Sequence, residues 1–393
     1  MPRRYVTVAL DLNWRYLAAA LGGGRGEAPA WLPGLSSERP LVALSVRSAF
    51  DLLLQAWPGP PGEMLVGAIT HPDMLALLRH HGWTPLPIDL DPSSLAPELA
   101  LLQRAVGPQT RAVLVTHLLG GRLDLAELGP WCERRGLVLV EDCAQAFTGL
   151  EYRGYPGALA SLFSFGPLKT ATALGGAVAW VRDGAVGERM ERLLASYRRQ
   201  STLDFVSKVL KYGLLHASSQ PAVWGLLGWA LERAGISPIG VLRKLTAGFP
   251  GAFRPDRFRQ RPHGALVGLL WRRLREHSRA QVEARQRHGD RIVAALEGAR
   301  VPGRTLPDNT HWIFPVTLDD PEAALEALRR LGFDGLPGLS NLVCLEAPPE
   351  RPDLDPYRAR EIVEKSVLVP VRPSIPWPQQ LEAVRTLLAT GGR

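Results

Sequence analysis

The feature that most constrains the fold is a regular alternation of short apolar runs and helical stretches between residues 40 and 182. The runs lack alternating polar positions, so each strand is expected to be buried on both faces, as in a parallel sheet covered by helices. Ligands bind such sheets outside the carboxyl ends of the strands. The expected strands are Leu41–Leu44, Met64–Ile69, Thr84–Ile88, Ala112–Thr116, Leu137–Val140, Leu159–Phe165 and Ala177–Val181, and the expected helices are Ser48–Ala56, Pro72–His81, Leu95–Ala105 and Leu123–Arg135.

The pattern changes after residue 198, which predicts a second structural unit. Phe205, Val209 and Tyr212, with Leu210 and Leu214, predict a helix with one apolar face. We predict a large domain over 1–260, with an insertion at 198–260, and a smaller α+β domain over 261–393. The later elements are expected to be a long helical run over 264–298, strands Trp312–Val316 and Val367–Val369, and helices Pro321–Leu331 and Gln379–Leu388.

The net charge of +8 is matched by the stretch from Arg198 to Arg261, which covers the insertion and the next residue, where eleven Lys or Arg residues stand against three acids. This segment is also apolar, which leaves three interpretations open: a dimer contact or lid, docking on an anionic membrane surface, or binding of an anionic or lipid-linked substrate. Trp224 and Trp229 would be the interfacial anchors if the segment docks on a membrane.

Several protein classes are not supported by the sequence. No apolar run reaches the roughly 18 residues of a membrane-spanning helix. Asp11, Asn13 and Arg15 break the apolar stretch that follows the basic N-terminus, so we expect a cytoplasmic protein rather than a secreted one. The three cysteines are widely spaced and predict neither a disulfide framework nor a metal site. No nucleic-acid-binding motif is present.

Lys169 is the first candidate for chemistry, because it is one of only five lysines and follows an apolar strand and a Gly-Pro turn. A lysine among apolar residues at a sheet edge can have a lowered pKa, which makes its free amine available for a Schiff base. The alternative is a loop lysine whose stem packs on apolar surface while its amine reaches water.

Other polar residues also follow predicted strands. Asp142 stands at the carboxyl end of Leu137–Val140, where it could hold a protonated ring nitrogen or simply cap a helix. Gln145 could reach the same ligand or be a solvated helix residue. Ser48 lies where hydroxyl and amide groups begin a helix, and such a start either binds an anion or is an ordinary cap. His71 could stack on a ligand ring or be structural.

In order and spacing, these segments resemble the DegT/DnrJ/StrS sugar aminotransferases, pyridoxal-phosphate enzymes of the aspartate-aminotransferase type I fold. The resemblance extends from about residue 40 to the C-terminus. The most specific matches are EDCAQA and SFGPLK followed by LGGAV, and the others are SVRSAF, GAITHPDML, IDLDPSSL and THLLGG.

The resemblance implies a fold, a cofactor, an activity and a role for each matched residue. Lys169 would bind pyridoxal 5′-phosphate covalently and move a proton, while Asp142 would pair with the pyridinium nitrogen. Gln145 would contact the 3′-oxygen side of the cofactor, and His71 would stack on its ring. Ser48 and Ser164 would bind the phosphate. The protein would be a homodimer that moves an amino group, from glutamate as the expected donor, to a keto sugar nucleotide or related precursor.

The chain departs from the family pattern at three places. The Gly-Thr phosphate turn is Arg47-Ser48, the Glu before Gly-Gly is Leu174, and the Asn that reaches the neighbouring subunit's phosphate is Arg259. Two alternatives to a transaminase therefore stay open. One is an inactive scaffold that binds a ligand or a membrane, and the other is a pyridoxal-phosphate eliminase. Family dehydratases have histidine in place of the lysine, and Lys169 argues against elimination.

Overall fold

The computed structural model describes residues 4–7, 10–22, 40–246 and 253–391, with the side chains of 243–246 and 391 left out. Its strands are β1 Tyr5–Val6, β2 Pro40–Ala43, β3 Glu63–Gly67, β4 Ile69–Thr70, β5 Thr84–Ile88, β6 Thr110–Thr116, β7 Val138–Asp142, β8 Ala160–Ser164, β9 Ala177–Val181, β10 Phe314–Thr317, β11 Phe333–Asp334, β12 Leu336–Pro337, β13 Val343–Cys344 and β14 Ser366–Val369. Its helices are α1 Trp14–Leu21, α2 Val46–Gln55, α3 Pro72–His80, α4 Leu99–Ala105, α5 Leu128–Arg134, α6 Gly184–Ser196, α7 Thr202–Ser218, α8 Pro221–Arg233, α9 Pro238–Thr246, α10 Pro255–Phe258, α11 Gly264–Arg275, α12 Arg279–Ala295, α13 Pro321–Arg330, α14 Tyr357–Lys365 and α15 Trp377–Gly391.

The main sheet has seven strands in the order β2-β9-β8-β7-β6-β3-β5. Every pairing from β8 through β5 is parallel, and only β9 runs against its neighbours β8 and β2. The predicted α/β fold with a mostly parallel sheet is therefore confirmed. All seven predicted apolar runs contribute to this sheet, although Met64–Ile69 divides into β3 and the short β4.

Apolar side chains on alternate strand positions pack against helices on opposite faces of the sheet. Along β3, Met64 and Val66 join a cluster that includes Phe50 of α2, whereas Leu65 joins a cluster that includes Trp131 of α5. Successive strand residues point to opposite faces, so a strand with no polar alternation requires helices on both sides. This double burial leaves the strand ends as the place where polar groups can meet.

Three predicted helices differ from the structure. The helix expected over Leu95–Ala105 begins only at Leu99, after Leu95, whose φ is +54°. The helix expected over Leu123–Arg135 begins only at Leu128, after a turn in which Asp124 Oδ1 accepts the Ala126 amide at 2.9 Å. The run expected over 264–298 divides into α11 and α12. Ser278 caps the second helix by accepting a hydrogen bond from the amide of Gln281 at 3.4 Å, which fixes a new helix start.

The C-terminal half contains a smaller antiparallel sheet in the order β10-β14-β12, packed against α13 and α15. Tyr5, near the N-terminus, lies in the apolar cluster of this sheet, and β1 pairs with β11 in a separate two-stranded sheet. Leu336 and Leu368, however, pack into the cluster of the main sheet. The predicted division at residue 260 stays a prediction.

The insertion at 198–260 consists of helices, as expected from its periodicity. Phe205, Val209 and Tyr212 are buried, but the prediction was wrong for Leu210 and Leu214, which are 61% and 73% exposed. Each of these leucines lies one or two positions from a buried residue, and successive helical residues are separated by about 100°. Trp224 is also not an exposed anchor, because its ring is buried and its Nε1 donates to Asp334 at 2.7 Å.

None of the helices among the described residues is both long and apolar enough to cross a bilayer.

Candidate active site

A cavity of about 470 Å³ opens at the carboxyl ends of the main-sheet strands. Its volume lies in the range of roughly 300–1,000 Å³ that is usual for small-molecule sites. The structure places six of the eight predicted site residues in its wall. These are Arg47, His71, Asp142, Gln145, Ser164 and Lys169.

Asp142 is the last residue of β7 and is only 3% exposed. Its Oδ1 accepts a hydrogen bond from the Ala144 amide at 3.0 Å, and no described residue donates to Oδ2. Burial raises the pKa of this carboxyl, against which the Lys169 charge acts. No helix follows in residues 143–150, so Asp142 does not serve as the helix cap that was the alternative. A cationic ligand group would stabilise its charged form.

Lys169 lies in the loop between β8 and β9. Burial lowers the pKa of its amine to about 8, with Asp142 raising it and Arg47 lowering it further. The amine lies 4.5 Å from the centroid of the Trp312 ring. That ring is fixed in turn, because Trp312 Nε1 donates to the Leu168 carbonyl at 3.0 Å. The amine therefore points into the cavity rather than out to bulk water, and a large fraction is uncharged just above neutral pH.

His71 and Arg47 form the wall where α2 and α3 begin. His71 precedes α3, and its Nδ1 accepts the Asp73 amide at 3.2 Å. Arg47 donates from Nε to the Asp73 carboxylate, and a second guanidinium nitrogen lies 3.3 Å from His71 Nε2. Burial and the Arg47 charge lower the pKa of His71 to about 4. The ring is therefore neutral at physiological pH and can lie against a flat heterocycle.

Gln145 and Ser164 are placed by adjacent loops. Gln145 Oε1 accepts the Leu119 amide at 2.8 Å, which orients the side-chain amide toward the cavity it lines. Ser164 is the last residue of β8, and its Oγ is 3.4 Å from the Gly166 amide. The Leu119 amide that holds Gln145 is thus provided by a turn in which Leu119 has a positive φ.

The structure does not bring Ser48 or Arg259 into the cavity. Ser48 is 1% exposed and its hydroxyl donates to the Phe258 carbonyl at 2.8 Å. Its neighbour Ser45 lines the cavity instead. Arg259 makes two hydrogen bonds of 2.8 Å to Asp51, a fully buried carboxylate that His81 also contacts. The expected contact of Arg259 with a neighbouring subunit stays a prediction.

The sequence did not single out several residues that line the cavity. Trp312 was assigned only to a strand, although its ring covers the Lys169 amine. Lys208 and Tyr212 of α7 also line the wall, together with Gln200 and Asp204. The scarcity of lysine was the one signal that could have drawn attention to Lys208, since nothing in its local sequence marks it.

A buried polar network supports the strand that carries Asp142. Glu141 is fully buried and accepts hydrogen bonds from four donors: His117 Nε2 at 3.0 Å, the Tyr152 hydroxyl at 2.8 Å, the Tyr155 amide at 2.7 Å and the Ser161 hydroxyl at 2.5 Å. These donors lower the pKa of Glu141 although burial acts in the opposite direction.

His117, Glu141 and Cys143 lie close enough together to resemble a metal site. The hydrogen bonds give a different explanation. His117 Nε2 faces Glu141, and its Nδ1 accepts the Leu123 amide at 2.9 Å, so both ring nitrogens have protein partners. Burial also raises the pKa of the Cys143 thiol well above its usual range, which disfavours the thiolate that metal binding needs. The cluster is therefore a structural network.

Comparison with known proteins agrees with this architecture. The model of the DegT/DnrJ/EryC1/StrS aminotransferase family matches residues 42–213. This matched region contains all six strands of the main sheet that follow β2 and every cavity residue from Leu44 to Tyr212. Residues 42–213 of the chain belong to this family.

Curated relatives match over a similar region. The chain is 37% identical over 149 residues to the erythromycin biosynthesis sensory transduction protein EryC1 of Saccharopolyspora erythraea, covering 37% of this chain and 40% of that protein. It is 33% identical over 163 residues to the dTDP-3-amino-3,4,6-trideoxy-α-D-glucose transaminase of Streptomyces venezuelae, covering 39% and 42%. The matches therefore span about two fifths of the length of these relatives.

Solved structures of sugar aminotransferases match over nearly the whole chain. The PseC aminotransferase of Helicobacter pylori superimposes with a TM-score of 0.69 at 14% identity, over 99% of both chains. DesV of S. venezuelae, solved with a ketimine intermediate, gives 0.67 at 20% identity over 100% of both. At these identities the likeness establishes the fold, which is the one expected from the sequence.

Proposed function

We propose that this protein is a pyridoxal-phosphate-dependent aminotransferase that moves an amino group from an amino acid to a keto sugar nucleotide or a related biosynthetic intermediate. One observation carries the proposal: a lysine amine of lowered pKa and a buried carboxylate that lacks a full set of donors line the same cavity, where each influences the charge of the other. The names of the curated relatives, among them a glutamine-dependent aminotransferase of an aminocyclitol precursor and a deoxysugar transaminase, support the substrate class.

The residues in the cavity fit this cofactor. When bound, pyridoxal 5′-phosphate would supply the aldehyde and the electron-accepting ring. Lys169 offers an amine that is partly uncharged near neutral pH, as attack on an aldehyde requires. Asp142 offers the negative charge that keeps a pyridine nitrogen protonated. His71 offers a neutral ring for stacking, and Ser164 offers a hydroxyl to the phosphate.

Lys169 has a second role in this proposal. With the cofactor and an amino substrate bound, its amine would be the group that removes a proton from the substrate and returns one elsewhere. A pKa of about 8 suits both steps, because a group with a pKa near the operating pH exists in both forms. Trp312 covers the amine from one side and thereby limits the access of water.

The half-reaction tests the activity without knowledge of the acceptor. The purified protein is incubated with pyridoxal 5′-phosphate, and glutamate, glutamine or another amino acid is added. A transaminase converts the cofactor to its amine form, which changes the absorption spectrum and can be identified by mass spectrometry. Lys169→Ala should not perform the conversion, and Lys365→Ala, which changes an exposed helix residue, should behave as the wild type.

The other outcomes of this experiment separate the alternatives. Cofactor uptake without conversion by any amino donor, together with release of a substrate group, would indicate an eliminase. A protein that takes up no cofactor would be the ligand- or membrane-binding scaffold. We propose glutamate as the donor to be tested first, and the cytoplasm as the site of the reaction.

We further propose that the protein acts as a homodimer that uses the apolar surface of the insertion. Among the described residues, ten of the eleven exposed large apolar side chains lie on or beside α1, α7 and α8. Leu210 and Leu214 are on α7, and Trp229 is on α8. A cluster of exposed, large apolar side chains is typical of an interaction surface.

Sedimentation velocity tests this assembly. Leu210→Glu combined with Leu214→Glu should shift a dimer toward monomer, whereas Tyr357→Glu, at the exposed apolar residue outside this surface, should not. If the wild type is monomeric and instead sediments with anionic liposomes, the surface docks on membranes. If it does neither, the lid or substrate-binding interpretation remains.

A further inference from the structure

The cavity contains a second lysine, which the family match leaves without a role. Lys208 lies on α7, three residues before Lys211, and its side chain is half-buried in the cavity wall. Among the described residues, no acceptor lies within hydrogen-bond distance of its amine and no carboxylate within ion-pair distance. Burial lowers the pKa of this amine, the neighbouring Lys211 charge acts in the same direction, and the Asp204 charge one turn away acts against both. A cation that is largely buried usually has an anionic partner.

The backbone around Gly175 shows where in the cavity this amine lies. Lys208 Nζ is 3.2 Å from the point where a side-chain carbon on Gly175 would stand. Gly175 donates its amide to the Phe165 carbonyl at 3.1 Å, and Gly176 donates to the Leu44 carbonyl at 2.9 Å. The amine therefore lies beside the junction of two chain segments, one ending in Ser164 and the other leading into Ser45.

Both serines at this junction line the cavity, as does Lys208. This part of the wall therefore offers two hydroxyl groups and a lysine amine to a ligand.

Two arginines near α2 already have carboxylate partners, while Arg257 of α10 also lines the cavity. Arg47 donates to the Asp73 carboxylate. Arg259, expected to reach a phosphate, is held by Asp51. A phosphate monoester carries close to two negative charges at neutral pH, and its transfer from water into a cavity is costly without a nearby cation.

On these grounds we propose that Lys208 is a phosphate-binding residue, which reaches from α7 of the same chain to the phosphate of the cofactor beside Ser164 and Ser45. The inference rests on the proposed function, since it assigns one group of the proposed cofactor to this part of the cavity wall. The small size of Gly175 is part of the arrangement, because a side chain there would occupy the space next to the amine.

Comparison of two cofactor forms tests the proposal. Pyridoxal 5′-phosphate and pyridoxal share the aldehyde and the ring but differ in the phosphate. Each is titrated into the cofactor-free protein and its dissociation constant is measured from the absorption spectrum, without any amino donor. Lys208→Met should bind pyridoxal 5′-phosphate roughly 10- to 100-fold more weakly than the wild type, since a hydrogen bond to a charged group is lost. Its affinity for pyridoxal should be unchanged.

Two further variants complete the design. Lys208→Arg keeps the positive charge and should recover most of the affinity for pyridoxal 5′-phosphate. Lys365→Met removes a lysine of α14, which does not line the cavity, and should leave both affinities unchanged. Unaltered pyridoxal binding by Lys208→Met would also show that the variant is folded.

The outcomes separate this inference from the proposed function. If the wild type binds neither compound, the proposed function fails and the inference fails with it. If the wild type prefers pyridoxal 5′-phosphate and Lys208→Met keeps the same preference, only the inference is overturned, and the amine serves an anionic group of the substrate instead.

Discussion

The four hydrogen bonds to Glu141 allow a stability prediction to be worked out atom by atom. In Glu141→Gln the shape of the side chain is kept, but one carboxylate oxygen becomes an NH₂ group. If the NH₂ replaces Oε2, it faces the Tyr155 amide, and if it replaces Oε1, it faces His117 Nε2. The His117 ring cannot change tautomer at no cost, because its Nδ1 accepts the Leu123 amide. The Tyr152 and Ser161 hydroxyls can turn to accept instead, so either orientation leaves one N–H donor without an acceptor.

The magnitude follows from this geometry. One buried donor without an acceptor costs roughly 1–3 kcal/mol, and the remaining bonds lose the added strength of a charged acceptor. We expect Glu141→Gln to lower the free energy of unfolding by about 2–4 kcal/mol at pH 7. Glu133→Gln, at an exposed position on α5, should change it by less than about 0.5 kcal/mol.

The pH dependence gives a second readout. Because the pKa of Glu141 is lower in the folded chain, its ionised form stabilises the protein above the unfolded-state pKa of about 4.3. That contribution is lost as the pH falls through the lower folded-state pKa, so the difference between wild type and Glu141→Gln should narrow toward low pH. Urea denaturation at fixed protein concentration, at pH 7 and at several pH values below 4, measures both effects. Equal stability of the two proteins at pH 7 would refute the reasoning.

Three further predictions concern neighbouring groups. Asp51→Asn removes the buried carboxylate that pairs with Arg259. Because the pKa of Asp51 is lowered in the folded chain, the midpoint of urea unfolding should fall at pH 7, and the decrease should become smaller at acidic pH. An unchanged midpoint at pH 7 would contradict a stabilising ion pair. Stacking needs a flat ring and not a charge, so His71→Phe should retain cofactor affinity within about threefold. His71→Ala should bind the cofactor roughly tenfold more weakly in the same absorption titration. Equal losses of affinity in the two variants would exclude stacking. The Trp312 ring beside the Lys169 amine favours the charged form of that amine. Trp312→Leu removes the ring, so the pKa of the amine should move below about 8. The pH dependence of the reaction of the amine with pyridoxal measures this pKa, and an upward shift would contradict the prediction.

The main sheet could be predicted from sequence because its physical basis is local. A strand buried on both faces needs an unbroken apolar run, so Ala112–Thr116 and Ala177–Val181 were identifiable without any knowledge of their partners. Helix ends were less predictable. α5 starts after a turn in which Asp124 accepts the Ala126 amide, and the break before α12 depends on the Ser278 cap. Both are single-residue effects inside sequences of good helical periodicity.

The candidate site was predictable only in part, for a related reason. Asp142, Ser164 and Lys169 stand at or after strand ends, so their place along the chain predicted their place at the sheet edge. Lys208 and Trp312 come from distant segments, and only tertiary packing brings them to the cavity. Ser48 was predicted at the site but does not line the cavity, because its hydroxyl donates to the Phe258 carbonyl. This interaction joins residues 210 positions apart, and no local pattern encodes it.

The central claim is that the amine of Lys169 binds the aldehyde of the cofactor in a cavity it shares with Asp142. Reduction of the cofactor-loaded protein with borohydride, followed by proteolysis and mass spectrometry, tests this claim most directly, because it fixes the linkage at whichever amine formed it. The account predicts a single pyridoxyl group on Lys169 and none in Lys169→Ala. A modified Lys208, or an unmodified chain after exposure to saturating pyridoxal 5′-phosphate, would contradict it.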